Sequence, residues 1–198
     1  MTQRGSLAYL WLWALLSAPA LAWVTTLARQ GAPIAADALN PTGALSAVLF
    51  IMALLATPLR HIRPGRPVPL WLVRNRRYLG VASFGYALLH TLFYVLDAGS
   101  AANLLMQLPR LAIWTGWVSL LIMAPLALTS TDGWVRRLGP RWKSLQRWAY
   151  AAALLGFFHA VSLNDWDDPW EPLIVSAPLI ALQIWRMGKN VVRRPKTT

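Results

Sequence analysis

Cysteine is absent from the chain. Its absence excludes disulfides, Cys-ligated iron–sulfur clusters, thiol catalysis and covalent haem attachment through C-x-x-C-H. Charge is scarce too. Asp, Glu, Lys and Arg make up 13% of the 198 residues, against about 25% in an ordinary soluble domain. Carboxylates number only seven, beside three His and five Met. Metal binding or acid–base chemistry must therefore draw on very few side chains.

Apolar sequence is what the chain has in abundance: 57% of residues are hydrophobic and the mean hydropathy is +0.43. Six apolar segments stand out, at 8–27, 44–59, 78–96, 110–130, 148–164 and 172–188. A helix rising 1.5 Å per residue needs about 20 residues to cross a hydrocarbon core about 30 Å thick. The pattern predicts an all-α membrane protein, a bundle of about six transmembrane helices forming one domain over residues 1–198. The second, fifth and sixth segments are short, which suggests tilted or partly interfacial helices. The first has the outline of a signal peptide, but its apolar run continues through Trp23 and Val24, so it is read as a retained helix. No internal repeat and no separate soluble domain is evident, and the Pro-rich stretch Arg63 to Trp71 reads as an ordered connection.

A net charge of +12 raises the question of nucleic acid, but the basic residues lie between apolar runs and not on a polar domain, which excludes that partner. Their distribution speaks of topology instead. Arg4 precedes the first segment, and six arginines from Arg60 to Arg77 fill the gap after the second. Arg136, Arg137, Arg141, Lys143 and Arg147 follow the fourth segment, and Lys189, Arg193, Arg194 and Lys196 follow the last. The alternate gaps carry Asp37, then Asp97, then Asp165, Asp167, Asp168 and Glu171. The positive-inside rule places both termini in the cytoplasm of a bacterial inner membrane, with lipid as surrounding solvent.

Twelve tryptophans are many for this length. Trp11, Trp71, Trp134, Trp142, Trp166, Trp170 and Trp185 fall near segment ends and read as interfacial anchors. Trp114 and Trp117 fall inside the fourth segment and read as part of a buried or cofactor-lining surface.

Ionisable residues inside a span are costly and are functional candidates by default. Two histidines qualify, His90 in the third segment and His159 in the fifth, whereas His61 follows the second segment among arginines and reads as interfacial. His90 lies thirteen residues after Arg77 and seven before Asp97, and His159 twelve after Arg147 and six before Asp165. Those spacings put both about 10 Å from the outer end of helices running in one direction. Two imidazoles at one depth on facing helices suit a bis-His haem iron, which takes one nitrogen on each face of its macrocycle. A zinc site would need a third ligand at that level. The bland alternative is that each His only hydrogen-bonds inside the bundle. The favoured expectation is one haem b between His90 and His159.

The stretches 'RNRRYLGVASFGYALLHTLFYVLD' and 'PLALTSTDGWVRRLGPRWKSLQRWAYAAALLGFFH' resemble the MsrQ (YedZ) family, within the ferric-reductase-like transmembrane domain superfamily. The similarity runs from about residue 40 to residue 165 and is most specific from 'LALTST' to 'LGPRWKSLQRWAY'. It implies a haem-binding membrane subunit of a methionine sulfoxide reductase system. Electrons would come from a cytoplasmic flavin reductase or the quinone pool, pass through haem b, and leave to a periplasmic molybdopterin-containing, MsrP-like reductase. Methionine sulfoxide reduction, and so protein repair, would take place on that partner. Family members are also associated with FMN. His90 and His159 match the family's haem-ligand positions.

The chain departs from the family pattern at Gln146, where 'WKSLQRWAY' replaces a further His. In the wider superfamily two His pairs hold two stacked haems; here the inner pair would be Gln146 with Arg76 or Arg77, neither a normal iron ligand. One haem is expected, with Arg77 and Gln146 left as a candidate inner site for a flavin or quinone. The alternatives are a related cytochrome serving another acceptor and a non-redox membrane protein. The 198 residues hold no nucleotide-binding or FAD domain, which argues against a self-contained ferric reductase.

Overall fold

The computed structural model describes residues 3–163 and 170–192. Among these the chain is helical throughout: α1 (Gln3–Gln30), a 3₁₀ turn (Ala32–Ile34), α2 (Ala35–Ile62), α3 (Pro67–Ala98), α4 (Ala101–Gln107), α5 (Leu111–Leu128), α6 (Asp132–Leu138), α7 (Pro140–Gln146), α8 (Trp148–Ser162) and α9 (Trp170–Val192). Four stretches are long and apolar enough to cross a membrane, Tyr9–Gln30, Ala32–Ile62, Pro67–Ala98 and Leu111–Leu128. The expected segments fall on α1, α2, α3, α5, α8 and α9. The all-helical class and the membrane-spanning character hold; α8 spans 15 residues, and in α9 the apolar stretch is Pro172–Ala181.

Two boundaries differ from expectation. The second segment is not short, because α2 begins at Ala35, nine residues upstream of the apolar run, and carries Asp37 in its first turn where a carboxylate complements the helix dipole. The Pro-rich connection is mostly helix as well. The turn is confined to Arg63–Arg66, and Pro67 sits at the first position of α3, where a missing N–H costs nothing. At its other end α3 stops at Gly99, whose φ of 67° closes the helix in the left-handed region.

The helices assemble as two antiparallel hairpins. In the first, α2 packs along α3 around Leu49, Ala56, Leu72, Leu79, Ala82 and Tyr86. In the second, α5 packs along α8, the two being joined by α6 and α7. The hairpins meet through α3 against α5 and α2 against α8. Their outer faces expose Leu88, Leu92, Leu121, Leu128 and Leu154, the pattern of a bundle whose solvent is lipid. α1 is fastened to α3 by Tyr86. Its hydroxyl accepts from the Ala20 N–H at 3.2 Å and donates to the Leu16 carbonyl at 2.7 Å. Those two groups would bond each other in an unbroken helix, so the hydroxyl is inserted into the ladder of α1 beside Pro19.

Candidate functional site

His90 comes from α3 and His159 from α8, one from each hairpin, and the structure brings them side by side. Their ring centroids are 6.0 Å apart and their planes stand at 82°. Each ring leans on the other helix of its own hairpin. His90 Nδ1 is 3.0 Å from the Leu39 carbonyl on α2, and His159 Nδ1 is 2.6 Å from the Ala112 carbonyl on α5. A carbonyl only accepts, so each Nδ1 carries the proton and each Nε2 keeps its lone pair. This is how metal-binding imidazoles are commonly oriented: the far nitrogen is tied to a carbonyl and the near one is left basic.

The separation suits a single iron held between the rings. Two metal–imidazole bonds of about 2 Å, plus the half-width of each ring, give about 6 Å between centroids. Both histidines are half-buried, and among the described residues no group of three or more His, Cys, Asp or Glu gathers in one place. Two neutral imidazole nitrogens with no carboxylate gathered beside them fit a macrocycle that brings its own four nitrogens better than they fit a bare divalent cation. The residues present therefore fit a haem.

The two hairpins are built alike, which corrects the expectation of no internal repeat. Thr42-Gly43 and Ser46 on α2 correspond to Thr115-Gly116 and Ser119 on α5, a T-G-x-x-S pattern repeated. Thr42 and Thr115 are both buried and each donates to the carbonyls three and four residues earlier. Ser46 donates to the Ser83 carbonyl and Ser119 to the Ala152 carbonyl, both at 2.9 Å, and each acceptor lies seven residues before its histidine. The Leu39 and Ala112 carbonyls lie four residues before Gly43 and Gly116. Small residues let the helices of each hairpin approach closely, as interhelical contacts in lipid require. The duplication escapes a reading of the sequence because three matching residues in a window of five are a weak signal and the gap to the histidine differs, 48 residues from Thr42 and 44 from Thr115.

Arg77 and Gln146 each bond a carbonyl at the end of α5. Gln146 donates to the Leu126 carbonyl at 3.1 Å, and Arg77 donates to the Ser130 carbonyl at 3.4 Å while pairing with Asp132 at 2.7 Å. The Trp142 indole donates to the Thr129 carbonyl at 3.0 Å, and the Ser130 hydroxyl also reaches Leu126. A helix ends with four carbonyls lacking partners, and 'LALTST' with 'WKSLQ' supplies donors at the end of α5. Trp142 is consequently buried and not an exposed anchor. Trp114 is 44% exposed, because Ala112 and Gly116, two residues to either side, occupy the inner face of α5. Trp117 is half-buried. His61 is exposed and bonds only the Thr57 carbonyl of its own helix among the described contacts. The acidic loop is described only at Trp170 and Glu171; residues 164–169 lie outside the described residues.

Residues 42–157 match the family described as ferric reductase-like transmembrane component, more than half of the chain and enclosing both hairpins almost entirely. The chain belongs to that family. Curated relatives of this family member include proteins from Brucella ovis, Brucella canis and Brucella suis, each named protein-methionine-sulfoxide reductase heme-binding subunit MsrQ. Each is 37% identical over 151 residues, covering 74% of this chain and 66% of the relative. The chain thus spans slightly less than two thirds of their length. The likeness to MsrQ drawn from the sequence is borne out. No solved structure matches the chain.

Proposed function

We propose that this ferric reductase-like chain is the haem b electron-transfer subunit of a methionine sulfoxide reductase system in the bacterial inner membrane. The observation that carries this reading is the pair His90 and His159, each with Nδ1 tied to a carbonyl and Nε2 left free, at a separation suited to one iron. When bound, a haem supplies a one-electron ferric/ferrous couple at that place. The chain's own residues do the rest. The two imidazoles would hold the iron, and the carbonyls of Leu39 and Ala112 fix their orientation. The apolar helices around them exclude water.

The names of the Brucella relatives support a methionine sulfoxide reductase partner. With both termini in the cytoplasm and six crossings, the histidines lie in the outer half of the bilayer, close to a periplasmic, molybdopterin-containing enzyme. Electrons enter from a cytoplasmic flavin reductase or from quinone, and Arg77 and Gln146 mark the inner end of the bundle where a flavin such as FMN or a quinone head group would bind. The purified protein should show a b-type spectrum in a dithionite-minus-air difference measurement. Co-expression with the periplasmic reductase should give electron-donor-dependent reduction of methionine sulfoxide. A featureless difference spectrum overturns the haem assignment, and a haem protein that cannot drive that reduction serves another acceptor.

A further inference from the structure

We propose that Gly43 and Gly116 are positioning residues for the two imidazoles, and that the tighter hold on His159 makes it the stronger donor to a bound iron. This inference rests on the haem reading above and deepens it.

Neither glycine is needed for backbone conformation, since both lie inside helices and neither has a positive φ. Glycine inside a helix is destabilising relative to alanine, so its use twice at matching places asks for a reason. The reason is contact with the ring. A Cβ on Gly43 would lie 3.0 Å from His90 Nδ1, and a Cβ on Gly116 would lie 2.8 Å from His159 Nδ1. The same distances to the neighbouring ring carbon are 3.1 and 3.0 Å, so a methyl group meets the edge that forms the hydrogen bond.

Helix geometry explains the four-residue spacing. In a regular helix the carbonyl of residue 39 or 112 already accepts the N–H of residue 43 or 116. A helical side chain leans toward the N-terminus and covers the turn before it. Any side chain at 43 or 116 would therefore shield the second lone pair of that carbonyl. With glycine the lone pair stays open, and the imidazole reaches it from the neighbouring helix.

The two sites are alike but unequal. His159 sits 2.6 Å from its carbonyl and His90 3.0 Å from its own, and Gly116 is the closer of the two glycines. A shorter Nδ1–H to carbonyl bond pushes electron density toward Nε2 and raises ligand basicity. A more basic ligand favours the ferric state, so displacing the ring from its carbonyl should raise the midpoint potential.

The test uses the full-length, haem-loaded protein in detergent, with Gly116→Ala and Gly43→Ala. Gly85→Ala on α3 is the control, because a Cβ there meets nothing within 4 Å. Ser119→Ala is a second control: it removes the α5–α8 hydrogen bond to the Ala152 carbonyl, seven residues before His159, and leaves the Ala112 carbonyl and Gly116 as they are. Spectroelectrochemical titration should give an upward shift in midpoint potential for Gly116→Ala, a smaller upward shift for Gly43→Ala, and wild-type values for both controls. The ferric electron paramagnetic resonance signal should change in the two glycine variants only. Unchanged potential and signal in both glycine variants overturn the inference, as does an equal shift in Ser119→Ala, which would mean general loosening of the hairpin. Should Gly116→Ala fail to accumulate, proton electron–nuclear double resonance on the wild-type protein after transfer to deuterated buffer decides. Two retained Nδ1 protons of unequal coupling are expected, and exchanged or equal protons overturn the proposal. Failure of the haem reading is separate, because there the wild-type protein holds no haem or keeps it in His90→Ala.

Discussion

The planes of His90 and His159 are nearly perpendicular, at 82°, and the two hairpins hold them so through carbonyls on different helices. Held at this angle on one haem iron, crossed imidazoles would leave the two iron d orbitals that bond with them nearly equal in energy. The ferric protein should therefore give the highly anisotropic low-spin resonance of perpendicular axial ligands. An ordinary rhombic low-spin spectrum would show that the rings turn parallel when the haem is in place.

Removing either imidazole should empty the proposed haem site. His90→Ala and His159→Ala should each lose stable haem retention through purification, since without Cys no covalent tether remains. His61→Ala should behave as wild type, because His61 is exposed at the end of α2 and bonds only within its own helix. A complete low-spin b-type spectrum in either transmembrane variant would exclude that histidine as a ligand.

Stoichiometry should be one haem per chain. Gln146 and Arg77 donate their hydrogen bonds to the end of α5, and neither an amide nor a guanidinium supplies the imidazole an inner iron would need. Pyridine haemochrome measurement against protein mass checks this. A ratio near two that falls to one in His61→Ala would assign His61 to an inner site.

Reporter fusions should place both termini and the basic stretches Arg63–Arg77 and Arg136–Arg147 in the cytoplasm, with Asp97 and the acidic loop outside. An odd number of crossings, or a C-terminus outside, would contradict the charge alternation.

Tyr86→Phe should loosen α1 from the bundle while leaving the haem spectrum in place. The hydroxyl makes two hydrogen bonds to α1 that phenylalanine cannot make, but Ala20 and Leu16 can then pair with each other. A loss of about 1 kcal/mol is expected, within the range of interhelical hydrogen bonds in lipid. Denaturant titration in mixed micelles measures it. A loss of several kcal/mol would mean that the ladder of α1 does not close again.

Much of this protein was legible in one dimension. Apolar runs separated by arginines demand helices, because a backbone in hydrocarbon must satisfy its own polar groups. His90 and His159 stood out because so few ionisable residues enter the apolar runs, and spacings from the flanking charges that agree to within one residue put them at one depth. What the linear order could not show was contact between helices. The start of α2 at Ala35 depends on packing against α3 more than on hydropathy, so the apolar run alone began it nine residues late. Trp142 looked like an anchor until its indole met the Thr129 carbonyl. Gly43 and Gly116 carry no chemistry of their own, and their meaning lies in the side chain they lack where another helix delivers an imidazole. Composition and spacing determined that this chain makes membrane helices with two histidines at one level. Only the tertiary structure decided which carbonyls hold the rings and at what angle they face, because hydrogen bonds between helices depend on approach distances of a few tenths of an ångström that no linear pattern records.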